Sequence, residues 1–188
     1  MKKLICLTVC MLLIFSFAGC KEKKPEESHP TLQTEASGVD IEKYVKSGKI
    51  PEVEFSLGDD VDTVKSAIAE KDTEGLFQVI DGDDYTIITT PDEVNLVYET
   101  EKKEEGIKYI VSLGTSYGFA NDVDPNTVSL VMKEKGYKAS LKTIPEKLTG
   151  FFPGSEGLDC LSYEISGHSL NFVFENNYLT ATILCKKG

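Results

Sequence analysis

Apolar side chains fall on alternate positions through the last third of the chain. Leu161, Tyr163 and Ile165 form one series, Leu170, Phe172 and Phe174 a second, and Leu179, Ala181 and Ile183 a third. A period of two marks β-strands with one covered side. Glu175-Asn176-Asn177-Tyr178 is a hairpin sequence, because asparagine tolerates positive φ in a two-residue turn. Pairing Glu175 with Tyr178, and closing the preceding turn over Ser166-Gly167-His168-Ser169, collects all three series on one face. The opposite face then holds Cys160, Ser162, Glu164, Asn171, Val173, Glu175, Tyr178, Thr180 and Thr182. Three strands with one apolar face need a cover. An earlier stretch reads alike, with Tyr85, Ile87, Val94, Leu96, Tyr98, Tyr109, Val111 and Leu113 as its inward set and a bend over residues 89–93.

Two segments change to a helical period. Asp60 and Asp124 are good N-caps; Val61, Val64 and Ile68 fall on one helical face, and Pro125 occupies a first-turn position where proline is tolerated. Residues 60–71 and 124–135 align without gaps at an offset of 64, with five of twelve residues identical. Val94–Glu99 and Leu170–Glu175 align at an offset of 76, which gives the second copy 12 extra residues between Thr143 and Gly157. The expected fold is therefore α+β: two tandem repeats, 41–120 and 121–188, each a helix plus a three-stranded antiparallel meander, with the helices packed on one face of the sheet.

The N-terminal end adds an address. Lys2 and Lys3 precede 14 uncharged residues, Leu4 to Phe17. A membrane span needs ~20 apolar residues, so residues 1–19 are expected to be a signal peptide. Phe17-Ala18-Gly19-Cys20 resembles the bacterial lipobox, which implies a diacylglyceryl group on Cys20 and a mature chain held to the extracytoplasmic face of the cell membrane. Residues 20–40 are charged and proline-containing, too poor in apolar side chains to fold alone, and read as the lipidated cysteine with its flexible linker. Twenty residues reach at most ~66–72 Å.

Charge then narrows the partners. The full chain carries 20 lysines and no arginine against 31 acids; loss of residues 1–19 leaves 18 lysines and a net charge of −13. So acidic a surface excludes nucleic acid and leaves membrane attachment to the covalent lipid. Without arginine there is no bidentate clamp for carboxylate or phosphate. Of the five cysteines, Cys6 and Cys10 leave with the signal peptide and Cys20 takes the lipid. The register above sets Cys160 and Cys185 on opposite faces and at opposite ends of one sheet, so two thiols are expected rather than a disulfide.

Leu57-Gly58-Asp59-Asp60-Val61-Asp62-Thr63-Val64, a glycine before an acid-capped helix, precedes a meander and is followed by a second copy. In this the chain, from Val53 to Gly188, resembles tandem-repeat lipoproteins of Gram-positive, clostridial-type bacteria, a group of unknown function. Their fold is similar to that of β-lactamase inhibitor protein and of small outer-membrane assembly lipoproteins. The chain departs from the inhibitor pattern: it has no tryptophan and no cysteine pair within each repeat.

No catalytic grouping, metal set or cofactor fingerprint emerges. Asp81-Gly82-Asp83-Asp84 reads as a solvated turn, Asp124 as a helix cap, and His168 as a turn residue without a second histidine in the folded part. The expected function is that of a binding or interaction module for an unknown protein or cell-envelope ligand, working through the polar strand face with Val97, Val173, Tyr178 and Thr182. Phe151 and Phe152, in the extra residues of the second copy, are a further candidate anchor. The alternatives are inhibition of an extracytoplasmic hydrolase, by fold analogy, and an acid-based hydrolase built on paired carboxylates.

Overall fold

A computed structural model of the chain describes residues 38–187, apart from 52, 73, 93, 114–115, 145–147 and 149–158. The described elements run in the order α1 (Ile41–Lys46), α2 (Val61–Lys71), β1 (Gln78–Asp81), β2 (Tyr85–Thr89), β3 (Val94–Glu99), a 3-10 turn (Thr100–Glu105) and β4 (Tyr109–Ser112). There follow α3 (Pro125–Glu134), β5 (Ser140–Thr143), β6 (Asp159–Ile165), β7 (His168–Glu175) and β8 (Tyr178–Lys186). The fold is α+β. Eight strands form one sheet in the order β1-β2-β3-β4-β8-β7-β6-β5. Every neighbouring pair is antiparallel. Among the described residues no helix is long and apolar enough to cross a membrane.

The helices begin where their caps lie. The Asp60 carboxylate accepts from the backbone N–H groups of Asp62 and Thr63, and Asp124 from those of Asn126 and Thr127. Val61, Val64 and Ile68 of α2 and Val128, Val131 and Met132 of α3 pack with Ile41 and Val45 of α1 into one core. Its sheet side includes Ile88, Leu96, Tyr98, Ile110, Tyr163, Leu170, Phe172 and Leu184. Replacing Asp124 by alanine orphans two N–H groups and a threonine hydroxyl, and should lower stability by about 1 kcal/mol. Chemical unfolding of the variant beside the parent protein measures it.

The hairpin turns behave as their residues require. Asn176 and Asn177 both have positive φ, as do Ser166 and Gly167, the conformation of a two-residue turn whose twist matches its strands. The second turn is tighter than the four-residue closure expected, since Ile165 pairs with His168. The pairing slips by two residues, so every β6 side chain keeps its expected face.

The last strand does not. Glu175 pairs with Tyr178 and Phe174 with Leu179, but then Val173 pairs with Ala181 and Phe172 with Thr182. Thr180 is the extra residue of a β-bulge, and its hydroxyl donates to the Val173 carbonyl at 3.3 Å. One inserted residue flips everything beyond it. Ala181, Ile183 and Cys185 thus join Cys160 on the face away from the helices, while Thr182 and Leu184 turn toward them. Cys160 and Cys185 therefore share a face, not opposite ones, and no disulfide joins them.

A similar correction applies to the first stretch. Val94, Leu96 and Tyr98 lie on the helix side as expected, but Tyr85, Ile87, Tyr109 and Val111 belong to the other side. Leu113 is 39% exposed. The cause is visible in β3, where Leu96, Val97 and Tyr98 are consecutive and all fully buried. A strand covered on both sides carries no alternation to fix its partners. Among the described residues each half of the chain also holds four strands rather than three. The additional ones, β1 and β5, are the sheet edges and are exposed at every residue, so they bear no burial pattern to read.

Candidate functional site

The second face of the sheet is not an open polar surface. Tyr85, Val97, Val111, Cys160, Val173, Ala181 and Ile183 form a second apolar cluster there, covered by Ile144 and Leu148 from the chain leaving β5. Of the expected contact residues, Val97 and Val173 are fully buried in this cluster, and Thr182 is fully buried on the helix side. None of the three is available to a partner: the face needs its own apolar cover, and the bulge inverts Thr182. Among those that are described, Tyr178 alone is exposed, at 57%. Phe151, Phe152 and Cys20 lie outside the described residues.

Beside the roof the cover is incomplete. A cleft of about 190 Å³ opens between Ile144 and Leu148 above and β4, β6, β7 and β8 below. Its floor is polar although deeply buried. The Ser162 and Ser169 hydroxyls lie 3.0 Å apart, and Ser169 Oγ donates to Asn171 Oδ1 at 3.2 Å. With the Ser169 proton committed there, Ser162 is the donor of the first bond. Asn171 Nδ2 donates to the Ile183 carbonyl at 3.2 Å and to the Ser169 carbonyl at 3.3 Å. Cys185 ends the ladder: its Sγ lies 3.9 Å from Asn171 Nδ2 and donates to the Ser169 carbonyl at 3.8 Å. Ser162, Ser169 and Asn171 are at most 9% exposed. A satisfied buried network fixes side-chain positions more firmly than an apolar floor would.

The walls carry the titratable groups. Burial pushes the Cys185 thiol pKa up, against smaller opposing effects from the Asn171 contact and from Lys142 and Lys108. Cys185 is thus a thiol at neutral pH, and a poor nucleophile. Burial, with Tyr85 alongside, raises the Tyr109 phenol to about 12; the two rings meet edge-to-face at 6.3 Å. Lys187 is paired with Glu164 at 2.7 Å, which holds the Glu164 carboxyl below its ordinary value. Lys142 lines the same cleft, and no ion pair among the described residues engages it. Among the described residues no group of three or more His, Cys, Asp or Glu side chains is placed to hold a metal ion.

A second hollow of about 270 Å³ lies on the helix side, between the end of α2 and the β2–β3 bend. Lys71 and Glu54 pair across its edge at 2.5 Å. Its walls combine the apolar Val53, Phe55, Ile68 and Pro91 with Glu54, Lys71, Asp72, Thr90 and Asp92, and no buried ladder of linked polar side chains such as the cleft's is found there among the described residues.

His168, the folded part's only histidine, opens β7 half-buried. Burial, then Lys186, lowers its pKa, with the Ser166 carbonyl acting the other way. The unfolded chain therefore takes up the proton first as pH falls below about 6.5, and stability drops until the folded histidine also protonates. Asp60, Asp72, Asp81 and Asp124, whose values are lowered by hydrogen bonds, begin to lose their contributions only below about 5. Urea midpoints should thus decline between pH 7 and 5 in the parent protein, and stay level there in His168→Gln.

The sequence matches no protein-family model and no curated protein. Its fold is similar to the crystal structure of a DUF4309 family protein, YjgB, from Bacillus subtilis: TM-score 0.54, 15% identity, covering 81% of this chain and 99% of that one. At that identity the likeness is one of fold.

Proposed function

We propose that the mature chain is an extracytoplasmic lipoprotein, anchored through diacylglyceryl-Cys20, that acts as a binding module and takes its ligand in the cleft over Ser169, Asn171 and Cys185. The observation carrying the binding role is the buried polar ladder flooring an open cleft. Burying polar groups costs stability unless they are paired. An arrangement that pairs them and still leaves space above suits recognition better than packing. The anchor rests on the lipobox-like Phe17-Ala18-Gly19-Cys20 and the uncharged run before it. Two acyl chains on one cysteine hold a protein durably where one does not.

The two halves are read as a duplication. Each consists of a capped helix and a four-stranded meander, and the order β1-β2-β3-β4-β8-β7-β6-β5 sets the fourth strands side by side at the sheet centre. A pseudo-two-fold arrangement of that kind, with five identities across the two helices, supports one ancestral unit. The insertion after β5 then distinguishes the second copy, supplying the roof.

Two measurements test this. Mass analysis of the protein extracted from membranes should find an acylated Cys20 at the N-terminus; an unmodified N-terminus ends the anchoring proposal. Fractions of cell-envelope extract should raise the melting temperature of the protein, by ~2.7 kcal/mol of stabilisation at a hundredfold excess over Kd. The shift should vanish once Cys185 carries a bulky maleimide. Equal shifts before and after that block, or none, would remove the cleft from the account.

A further inference from the structure

We propose that the ligand of this cleft is a small carboxylate with a short apolar body, its anionic end seated beside Lys142. This rests on the reading of the cleft as a binding site and adds the chemistry of its occupant. Among the described residues three charged side chains line the cleft on the sheet's outer face, Lys142, Lys187 and Glu164, and Lys186 adjoins it at the end of β8. Lys187 and Glu164 neutralise one another at 2.7 Å. Lys142 also acts on Glu164, though less than Lys187 does and without an ion-pair contact, so one positive charge is left over, on a strand whose register pairs Lys142 with Cys160 of the floor. Lys186 does not add to it, because its ammonium lies on the helix side, close to Gly58. Lys108 acts on the Cys185 thiol from further out, and is held 3.8 Å from both Glu99 and Glu105. Tyr109 is a neutral phenol. Among the described residues the local balance is thus +1, in a chain of net charge −11, and it calls for a monoanion.

The remaining features choose among anions. A phosphate, with more charge and more acceptor oxygens than a carboxylate, draws on several donors at once: arginine forks, the N–H groups at a helix start, or more than one unpaired lysine. This chain has no arginine, and among the described residues the cleft is lined by strands and the roof segment, with no α-helix N-terminus. A single ammonium, above a floor whose hydroxyl and amide hydrogens are already committed to one another, offers one cationic contact, which suits a carboxylate better than a phosphate that needs several donors. Ile144, Leu148 and Ile183 present apolar surface to what lies behind the charge, and about 190 Å³ is small beside the ~300–1,000 Å³ of sites for drug-sized ligands.

Cys185 provides a built-in reporter, since it lies in the same cleft. Iodoacetate and iodoacetamide alkylate the same thiolate and differ chiefly in charge, so the ratio of their rates cancels the thiolate fraction. Peptide mass analysis follows Cys185 alone in the mature, detergent-solubilised protein. The iodoacetate-to-iodoacetamide ratio should exceed that of the urea-unfolded chain by roughly three- to tenfold at low salt, shrink as salt is added, and return to the unfolded value in Lys142→Gln. Butyrate should slow labelling by iodoacetamide, butyramide much less. A ratio no higher than in the unfolded chain, or one unmoved by Lys142→Gln, overturns the proposal. So does protection by inorganic phosphate equal to that by butyrate. If butyramide protects as well as butyrate, the cleft binds but its preference for a carboxylate is refuted. If neither slows labelling while envelope fractions still shift melting in a Cys185-dependent way, the binding role stands and the carboxylate assignment falls.

Discussion

Truncating Phe172 to alanine should cost about 3–5 kcal/mol of folding stability. The ring stands at the centre of β7, fully buried, and meets Phe119 edge-to-face at 5.1 Å and Tyr163 at 5.9 Å. Removing it opens a void beneath the helices that two aromatic neighbours, each held by its own strand or turn, cannot collapse to fill. Part of the loss is the edge-to-face contact itself, worth about 0.5–1.5 kcal/mol per pair beyond area burial. Phe172→Leu keeps most of the volume and should cost far less. Urea unfolding separates the two, with the midpoint falling and the slope unchanged if only stability moves. A Phe172→Ala variant within 1 kcal/mol of the parent would mean that this ring is not the centre of the core.

Gly106→Ala should be comparably damaging, by about 3 kcal/mol or more, for a different reason. Gly106 has φ +74°, a region open to glycine but strained for alanine. A methyl group there would also run into the Gly58 carbonyl and come within 2.7 Å of the Asp59 oxygen. Those are backbone atoms and cannot rotate aside. They are held in place by the Gly58 N–H donating to the Ile107 carbonyl at 2.9 Å and the Ile107 N–H donating to Asp59 at 3.0 Å. This small backbone clasp fixes the start of α2 against the entry to β4. Gly136→Ala is the control. Its φ is +88° but nothing lies within 4 Å of the added carbon, so it should lose only the about 1–2 kcal/mol of left-handed strain. Equal losses at the two positions would show that the clasp carries no weight.

The glycine of Leu57-Gly58-Asp59-Asp60 shows how far local chemistry can be read. Gly58 has φ +93°, and Asp60 caps α2 as its side-chain chemistry requires. The α3 cap, the Asn176-Asn177 turn and the inward series Tyr163, Ile165, Leu170 and Phe172 were legible for the same reason. Each depends on residues a few positions apart, whose preferences act before any tertiary contact forms. The candidate site was not legible. The alternating pattern puts Cys160, Ser162 and Asn171 together on the face away from the helices, but it leaves Ser169 in a turn and sets Cys185 on the other face. The only sign of that error was Leu184 beside Ile183, two large apolar residues in succession, which a strand covered on one side has no use for.

Capped helices, two-residue turns and a run of antiparallel strands are thus properties of this sequence taken segment by segment. Which side of β8 faces the helices was decided elsewhere, by a single unpaired residue, Thr180, accommodated where β7 and β8 twist past one another. Whether the outer face met water was likewise decided by distant chain, Ile144 and Leu148 folding back on a cluster that runs from Tyr85 to Ile183 along the sequence. Side-chain period specifies that two faces differ. Only the packed sheet determines what each one touches, because register and cover are set by contacts between segments that no local pattern encodes.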